Sequence, residues 1–383
     1  MTPLILDKNF EAIGLCDTFK SFIWADRYNK EGDFEIVTVG DKAKEEIYQI
    51  GNYIYVTESD RTMIVESLEL KTNYDDGDEF IISGRSLDSI LSRRIVWGQK
   101  DLTGNFQNAI QTLLNENIIS PSDPSRKIPN FKFKTSTDST ITSLSIDTQF
   151  TGDTLYKAIQ GLCDQNNVGF KVTREGSDFV FSLYVGTNRT YDQTDNLYVE
   201  FSPKYDNITE TDYVQSSKNL KNVTLVGGEG EGSERKYYTV GNTSVTGLDR
   251  YELFTDARGT SSKVTDDNGE SRDLSTSEYN ALLKQKGDEN LAKKENMATK
   301  SFDGKLNADQ MFTLNKDFYL GDVVQVVNEY GIQGVSRITE IIYSWDNNGL
   351  RIYPSFDSAK VNDIQTSILS WVDKDGYWHS IDK

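Results

Sequence analysis

The sequence has 383 residues (43.4 kDa), and 41 Lys and Arg against 60 Asp and Glu give a formal net charge of −19. One His and two Cys exclude both a disulfide framework and a zinc site that needs several imidazoles or thiolates. The acidic charge disfavours static binding to nucleic acid or anionic membranes, and no apolar run approaches the roughly 20 residues of a membrane span. The N-terminal residues lack the features of a signal peptide, so we expect synthesis in a cytoplasm.

The first 85 residues predict a β unit. Apolar and polar residues alternate over residues 34–39 and, in a longer run, over residues 63–70, which is typical of half-buried strands. Asp76 and Gly77 then predict a tight turn into a further strand, because Gly readily adopts a positive φ.

The next part of the chain predicts a small α/β unit. Apolar residues recur at helical spacing over residues 87–95, again over residues 106–118, and a third time from Leu155 to Cys163. Two predicted strands follow at residues 168–185, so residues of about 100–185 combine helices with strands.

From about residue 197 the sequence predicts strands again, most clearly at residues 322–327 and 335–343. Ser275 and Glu278 form a capping-box pattern that opens a polar helix over about residues 276–298. The predicted order is therefore β, then α/β, then β.

Several segments resemble chemical sites, and in each one a structural interpretation is favoured. Residues 227–232 are rich in Gly, but they lack the Lys of a phosphate loop, and we expect a mobile acidic loop. The acidic turns near residues 75–79 and 266–270 lack calcium-loop spacing. Cys163 lies among apolar helical residues and is expected to be buried, and His379 is expected to lie in the tail. We expect no catalytic residue, no metal site and no cofactor, although a carboxylate pair for glycoside cleavage stays possible among 60 acids.

Five residues are candidates for an interface, because aromatic residues and Arg are over-represented where proteins meet. These candidates are Trp24, Arg27, Tyr28, Trp371 and Trp378. Packing in a core is an equally compatible interpretation of the first group. The aromatic tail suits a sugar or protein contact, and equally a cover over the domain that it follows.

Two parts of the sequence resemble a known family. Residues 22–36, in which Trp24, Arg27 and Tyr28 run into a Gly-Asp-Phe-Glu segment, resemble the opening of a family of siphophage tail proteins. Residues 320–326 and 337–356 resemble the second β domain of that family. Its members are baseplate hub, or tail-associated lysin (Tal-type), proteins of phages and prophages, and they are similar in fold to the hub cylinder of contractile-tailed phages.

The resemblance implies an α+β multidomain fold in which two barrel-like β domains frame an inserted α/β domain, with a polar helix and a short C-terminal tail. The expected boundaries are residues 1–100 for the first barrel-like domain, 101–190 for the α/β domain, 191–356 for the second barrel-like domain and 357–383 for the tail. An inserted loop and helix region is expected at about residues 257–300.

The resemblance also implies a function. We expect a structural virion protein, a homotrimeric tail-tip hub that closes the tail tube, docks to the distal tail protein and opens for DNA passage. Further expected partners are the tape-measure protein and receptor-binding or other baseplate proteins, with DNA only in transit. Many family members carry a peptidoglycan-cleaving C-terminal extension, but this sequence ends soon after the second β domain, so we expect no lysin activity. The alternatives are a peptidoglycan hydrolase and a host-carbohydrate adhesion module.

Overall fold

The computed structural model describes residues 2–40, 42–72, 77–265, 271–306, 311–330, 333–347, 349–358, 370–372 and 378–380. The fold is a mixed α+β structure, rich in strands and with few helices. The predicted turn at Asp76, the predicted acidic turn at residues 266–270 and most of the predicted tail lie outside the described residues.

The N-terminal β region contains seven strands and one short helix in its described part. They are β1 (Leu4–Leu6), β2 (Ala12–Leu15), β3 (Ser21–Arg27), β4 (Asp33–Val39), α1 (Lys42–Ile47), β5 (Tyr53–Tyr55), β6 (Thr62–Lys71) and β7 (Glu79–Ser86).

The α/β region begins with a 3-10 helix at Leu87–Arg93, and it contains a π-helical turn at Asn115–Ile119. Its further elements are β8 (Gln99–Asn105), α2 (Phe106–Leu114), β9 (Phe131–Lys134), α3 (Ser139–Thr142), β10 (Ser145–Thr151), α4 (Leu155–Asn166), β11 (Gly169–Glu175) and β12 (Asp178–Tyr184).

The C-terminal β region contains the remaining strands and one long helix. They are β13 (Glu200–Phe201), β14 (Ile208–Ser216), β15 (Val223–Gly227), β16 (Tyr237–Gly241), β17 (Glu252–Asp256), β18 (Lys263–Thr265), β19 (Ser271–Asp273), α5 (Thr276–Leu291), β20 (Thr299–Leu306), β21 (Val323–Val327), β22 (Gln333–Asp346), β23 (Gly349–Ser358), β24 (Ser370–Val372) and β25 (Trp378–Ser380).

One large sheet connects the two β regions. Among the described residues it has 13 strands, and its main path runs β14-β20-β23-β22-β3-β4-β7-β6-β5-β1-β2, with β21 paired to β22 and β13 to β21. The N-terminal and C-terminal β regions meet where β3 pairs antiparallel with β22. The predicted alternation holds in β4, where Phe34 and Ile36 are buried and Glu35 is exposed.

Hydrogen bonds cap the N-termini of the two longest helices, α4 and α5. Thr154 Oγ1 accepts from the backbone N–H of Lys157 at 3.2 Å and caps α4, whose buried face includes Cys163. Ser275 and Glu278 form the predicted capping box of α5. This helix ends at Leu291, short of the predicted residue 298, and a 3-10 turn at Lys294–Asn296 follows.

The buried apolar residues form three clusters. One fills the α/β region, and a second is shared by the N-terminal and C-terminal sides of the large sheet. The third and smallest lies between α5 and the β16-β15-β17 sheet, a unit that we call the α5 module (residues 223–291). The loop at residues 227–232, predicted to be mobile, is attached to this module, because the backbone N–H of Glu229 donates to Tyr279 Oη at 2.7 Å.

Candidate assembly site at the junction of three regions

The junction of the N-terminal, α/β and C-terminal regions forms around the end of β3. In the β3–β22 pairing, Trp24 lies opposite Tyr343, Asp26 opposite Ile341 and Arg27 opposite Glu340. Three of the predicted interface residues therefore lie at a contact between parts of the same chain.

Trp24 belongs to the core of the large sheet. Its side chain is fully buried, and its ring packs 6.1 Å from Phe22 and 6.2 Å from Phe34 between ring centroids. Its indole N–H donates to Asp26 Oδ1 at 2.8 Å, which satisfies the one polar group of the ring. Trp24 thus presents no surface to a partner of this chain.

Arg27 bridges the two β regions at the rim of the joint. Its Nε donates to Glu340 Oε1 at 2.6 Å, and its Nη1 donates to Asp33 Oδ2 at 2.7 Å and to the backbone oxygen of Glu31 at 3.0 Å. Its side chain is about one quarter exposed, so this ion-pair network stays in contact with solvent.

Tyr28 contacts all three regions. Its backbone N–H donates to the oxygen of Thr339 in β22 at 3.0 Å, and its hydroxyl donates to the backbone oxygen of Asn167 in the α/β region at 2.9 Å. The guanidinium of Arg337 lies 4.9 Å from the centre of its ring. The side chain is 1 % exposed, so Tyr28 is a central packing residue of the junction.

Two glycines make room for this ring. A Cβ atom on Gly169 or on Gly321 would lie 2.5 Å from Cε2 of Tyr28, well inside contact distance. Gly321 also has a φ of +97°, a conformation that residues with side chains rarely adopt. Tyr28 belongs to residues 22–36 and Gly321 to residues 320–326, the two parts of the sequence that resemble the tail-protein family. The structure therefore brings these two parts into direct contact.

A buried ion pair lies behind the joint. Arg61 and Asp88 are almost completely buried, and Arg61 Nη1 donates to Asp88 Oδ2 at 2.9 Å. Asp88 also accepts from Ser86 Oγ and from the backbone N–H of Val172, each at 2.6 Å. Surrounding acids, Asp88 first, raise the pKa of Arg61, so its charge persists despite burial. Sequence reasoning missed this pair, because no local pattern marks it.

A polar cleft of about 630 Å³ opens at the junction. Its lining includes Asp26, Asp60, Lys171 and Tyr343, which come from all three regions. Asp60 is paired with Lys171, while burial raises the pKa of Asp26 to about 6. Among the described residues, no group of three or more His, Cys, Asp or Glu is placed to hold a metal ion.

A second cleft, of about 1060 Å³, separates the α5 module from the α/β region. The contacts across it are polar: Thr148 Oγ1 donates to Glu289 Oε1 at 3.0 Å, and Gln285 Nε2 donates to Gln165 Oε1 at 2.6 Å. Such a contact resembles a surface between domains more than a shared core.

The α5 module also exposes an apolar sheet face that sequence reasoning missed. Leu225, Tyr237 and Phe254 on its three strands are each 43–51 % exposed. The guanidinium of Arg235 lies 5.4 Å from the ring centre of Phe254 and 5.9 Å from that of Tyr237. The available signal was the aromatic residues of two short strands, β16 and β17.

The other two predicted interface residues lie near the C-terminus. Trp371 is on β24, opposite His379, and Trp378 is on β25, opposite Val372, in an antiparallel pair. Their role at an interface stays a prediction.

The comparisons with known proteins point to phage tail proteins. The family model described as "Siphovirus ReqiPepy6 Gp37-like protein" matches residues 2–356. No curated protein matches the sequence. No helix in the described part of the chain is both long and apolar enough to cross a membrane.

Three solved structures share the fold. A tail protein from Neisseria meningitidis MC58 is 13 % identical, with a TM-score of 0.55 over 93 % of this chain and 96 % of that one. The 43 kDa tail protein of prophage MuSo2 from Shewanella oneidensis is 13 % identical, with a TM-score of 0.56 over 94 % and 98 %. Prophage tail protein gp18 from Listeria monocytogenes EGD-e is 12 % identical, with a TM-score of 0.52 over 94 % and 95 %. At these identities the likeness concerns the fold alone.

Proposed function

Because the chain belongs to the Siphovirus ReqiPepy6 Gp37-like family of phage tail proteins, we propose that it is the hub of the tail tip. In this role three copies form a ring or plug that closes the tail tube and docks to the distal tail protein. The hub also contacts the tape-measure protein and other baseplate proteins, and it opens for DNA passage. Its place is the virion tail, after synthesis in the host cytoplasm.

The β3–β22 joint is the observation that carries this proposal. It makes the two β regions parts of one sheet, and Tyr28 attaches the α/β region to the same point. A rigid pair of β regions in each subunit suits a trimer, because three copies then supply six β units to a sixfold tail tube. The barrel-like closure of each β domain, and the domain boundaries expected from the sequence, belong to this proposal.

The charge of the chain supports passage of DNA. The net charge of the chain is −19, and a channel wall that shares this acidic character does not attract phosphate, so DNA slides along it without binding. No DNA-holding basic surface is needed for such a role.

The mass of the purified full chain in solution, measured by light scattering, tests the proposal first. We expect about 130 kDa for three copies of 43.4 kDa, and a ring in electron micrographs when the distal tail protein of the same phage is added. A chain that stays at 43.4 kDa and forms no ring with that protein would contradict the hub.

Two further assays separate the alternatives. Release of soluble fragments from purified peptidoglycan would indicate a hydrolase, and saccharide binding by the isolated chain would indicate an adhesion module. We expect neither activity, because the contacts described above join parts of the chain to each other.

A further inference from the structure

Asp26 occupies an unusual place for a carboxylate. It lies next to the last residue of β3, opposite Ile341 of β22, at the pairing that joins the two sides of the large sheet. Its side chain is only 6 % exposed, yet it belongs to the lining of the 630 Å³ junction cleft. A proton from solvent can therefore reach a group that is otherwise inside the joint.

The contacts of Asp26 leave its negative charge poorly compensated. Its Oδ1 accepts from the indole N–H of Trp24, and Ser59 offers a hydroxyl nearby. The buried cation, Arg61, directs Nη1 to Asp88 and Nη2 to the backbone oxygen of Arg27. The ion pairs of Arg61 within 4.0 Å are with Asp88 and Asp60.

The charged and titratable groups around the cleft come from every neighbouring element. Arg61 favours a charged Asp26, whereas Asp60 opposes it. The β22 side contributes Tyr343, whose own pKa is raised by burial and by the charge of Asp26. The other titratable or charged residues at this junction are Tyr55, Glu58, Asp88, Lys171, Tyr184, Tyr319 and Asp322. The balance is set by burial, which raises the pKa of Asp26 to about 6.

We propose that Asp26 is a proton-operated element of the β3–β22 joint: the joint is tighter when Asp26 binds a proton and looser when Asp26 is charged. The inference concerns the chain by itself and does not depend on the function proposed above. It predicts that mild acid stabilises the contact between the two sides of the large sheet.

The direction follows from linkage. A carboxylic acid with a higher pKa in the closed joint than in the open one binds its proton more tightly when the joint is closed. The stabilisation is complete below the ordinary pKa of 3.8 and is lost as the pH rises through about 6. Between pH 7.5 and pH 5, the equilibrium constant for opening should fall about tenfold through Asp26 alone.

The indole N–H of Trp24 reports on this event, because it donates to the carboxylate that titrates. In the full chain labelled with ¹⁵N-tryptophan, we expect the Trp24 indole resonance to shift between pH 5 and 8, with a midpoint near 6. The sequence has five Trp residues, so substitution of the other four, one at a time, assigns the signal. Hydrogen exchange of the β3 and β22 amides, corrected for intrinsic rates, measures the opening constant in the same samples.

Two isosteric variants provide the comparison. Asp26→Asn, which stays uncharged, should remove the indole titration and about a tenfold pH dependence of opening. Glu35→Gln changes an exposed acid on the adjacent β4 and should retain both. An indole signal that stays constant from pH 5 to 8, or one that titrates unchanged in Asp26→Asn, would overturn the proposal.

A further variant keeps the test decisive if Asp26→Asn does not fold. Ser59→Ala removes a hydroxyl that stabilises the charged carboxylate, so the midpoint of the Trp24 titration should move to higher pH. A midpoint that does not move in this variant would count against Asp26 as the titrating group.

Discussion

The β3–β22 joint and the contact of the α5 module with the α/β region are built in opposite ways. At the joint, Trp24 and Tyr28 are buried in apolar packing, and Arg27 closes the rim with two ion pairs. At the module, Thr148 and Gln285 make polar hydrogen bonds beside a large cleft. Apolar burial and close packing make a joint stiff, whereas a contact made by polar hydrogen bonds beside a cleft is easier to separate.

This difference assigns mechanical roles within one chain. The two β regions share one apolar core, so their separation would require that core to open. The α5 module has its own small core, around Val226 and Leu283, and we therefore expect it to be the more mobile part. Substitutions at the joint should therefore have large effects on stability, and substitutions at the module smaller ones.

Truncation of Trp24 should give the largest effect. Trp24→Ala removes a fully buried ring at the joint and should lower the stability of the large sheet by about 3–5 kcal/mol. The control is Trp97→Ala, because Trp97 is 70 % exposed and its main contact is the Arg126 guanidinium 4.7 Å from a ring centre. It should cost about 1 kcal/mol. Denaturant unfolding followed by hydrogen exchange in β3 and β22 measures both, and equal losses would contradict a joint centred on Trp24.

A methyl group at Gly321 should disturb the joint next. Gly321→Ala forces a Cβ to 2.5 Å from the Tyr28 ring in addition to its strained φ of +97°. Gly98→Ala is the matched control, because Gly98 has a φ of +79° and no heavy atom within 4 Å of a new Cβ. Strain alone should cost about 1–2 kcal/mol, and the clash about 1–3 kcal/mol more. Thermal unfolding of the two variants separates these terms, and an equal loss would show that the Tyr28 contact adjusts freely.

Loss of a polar contact at the module should have a smaller and local effect. Thr148→Val removes the hydrogen bond to Glu289 Oε1 and should destabilise the contact between β10 and α5 by about 1 kcal/mol. Hydrogen exchange should increase in β10 and α5 and stay unchanged in β3 and β22. Thr112→Val, which loses only a bond to the backbone oxygen of Asn108 in its own helix, is the control. Faster hydrogen exchange in β3 or β22 of Thr148→Val would contradict the idea that the module contact and the joint respond separately.

The cap of α5 should respond to acid at a pH that differs from that of the joint. Arg272 and the capping hydrogen bonds from Ser275 lower the pKa of Glu278 to about 2, from an ordinary value of 4.5. A lowered pKa means that the contribution is present above pH 4.5 and is lost as the pH falls through about 2. Amide exchange in the first turn of α5 should therefore increase over that window, and Glu278→Gln should remove the pH dependence. A cap that loosened near pH 6 would contradict the separate control of module and joint.

The sequence predicted the local features well, for reasons that can be named. The alternation in residues 34–39 is confirmed by β4, because a strand that buries one face needs a period of two. The capping box of α5 involves Ser275 and Glu278 alone, and it is present. The family, indicated by the segments around Trp24 and Gly321, is confirmed by the match over residues 2–356.

The candidate site was only partly predictable. The residue types of Trp24, Arg27 and Tyr28 are common at interfaces, and the structure places these residues where three regions of one chain meet. Asp26, which lies among them, carries no such signal. Its neighbours Arg61 and Tyr343 lie far away in the sequence, so no local pattern shows that its charge is buried.

By itself, the sequence determined individual strands such as β4, the polar character of α5 and the family, because these depend on residue types within a few positions of each other. Only the tertiary structure decided that β3 pairs with β22, joining Arg27 to Glu340 across 313 residues. It also decided that Gly321 accommodates the ring of Tyr28. Such pairings require closure of a very long loop, and the apolar core that forms on closure selects among strands of similar pattern.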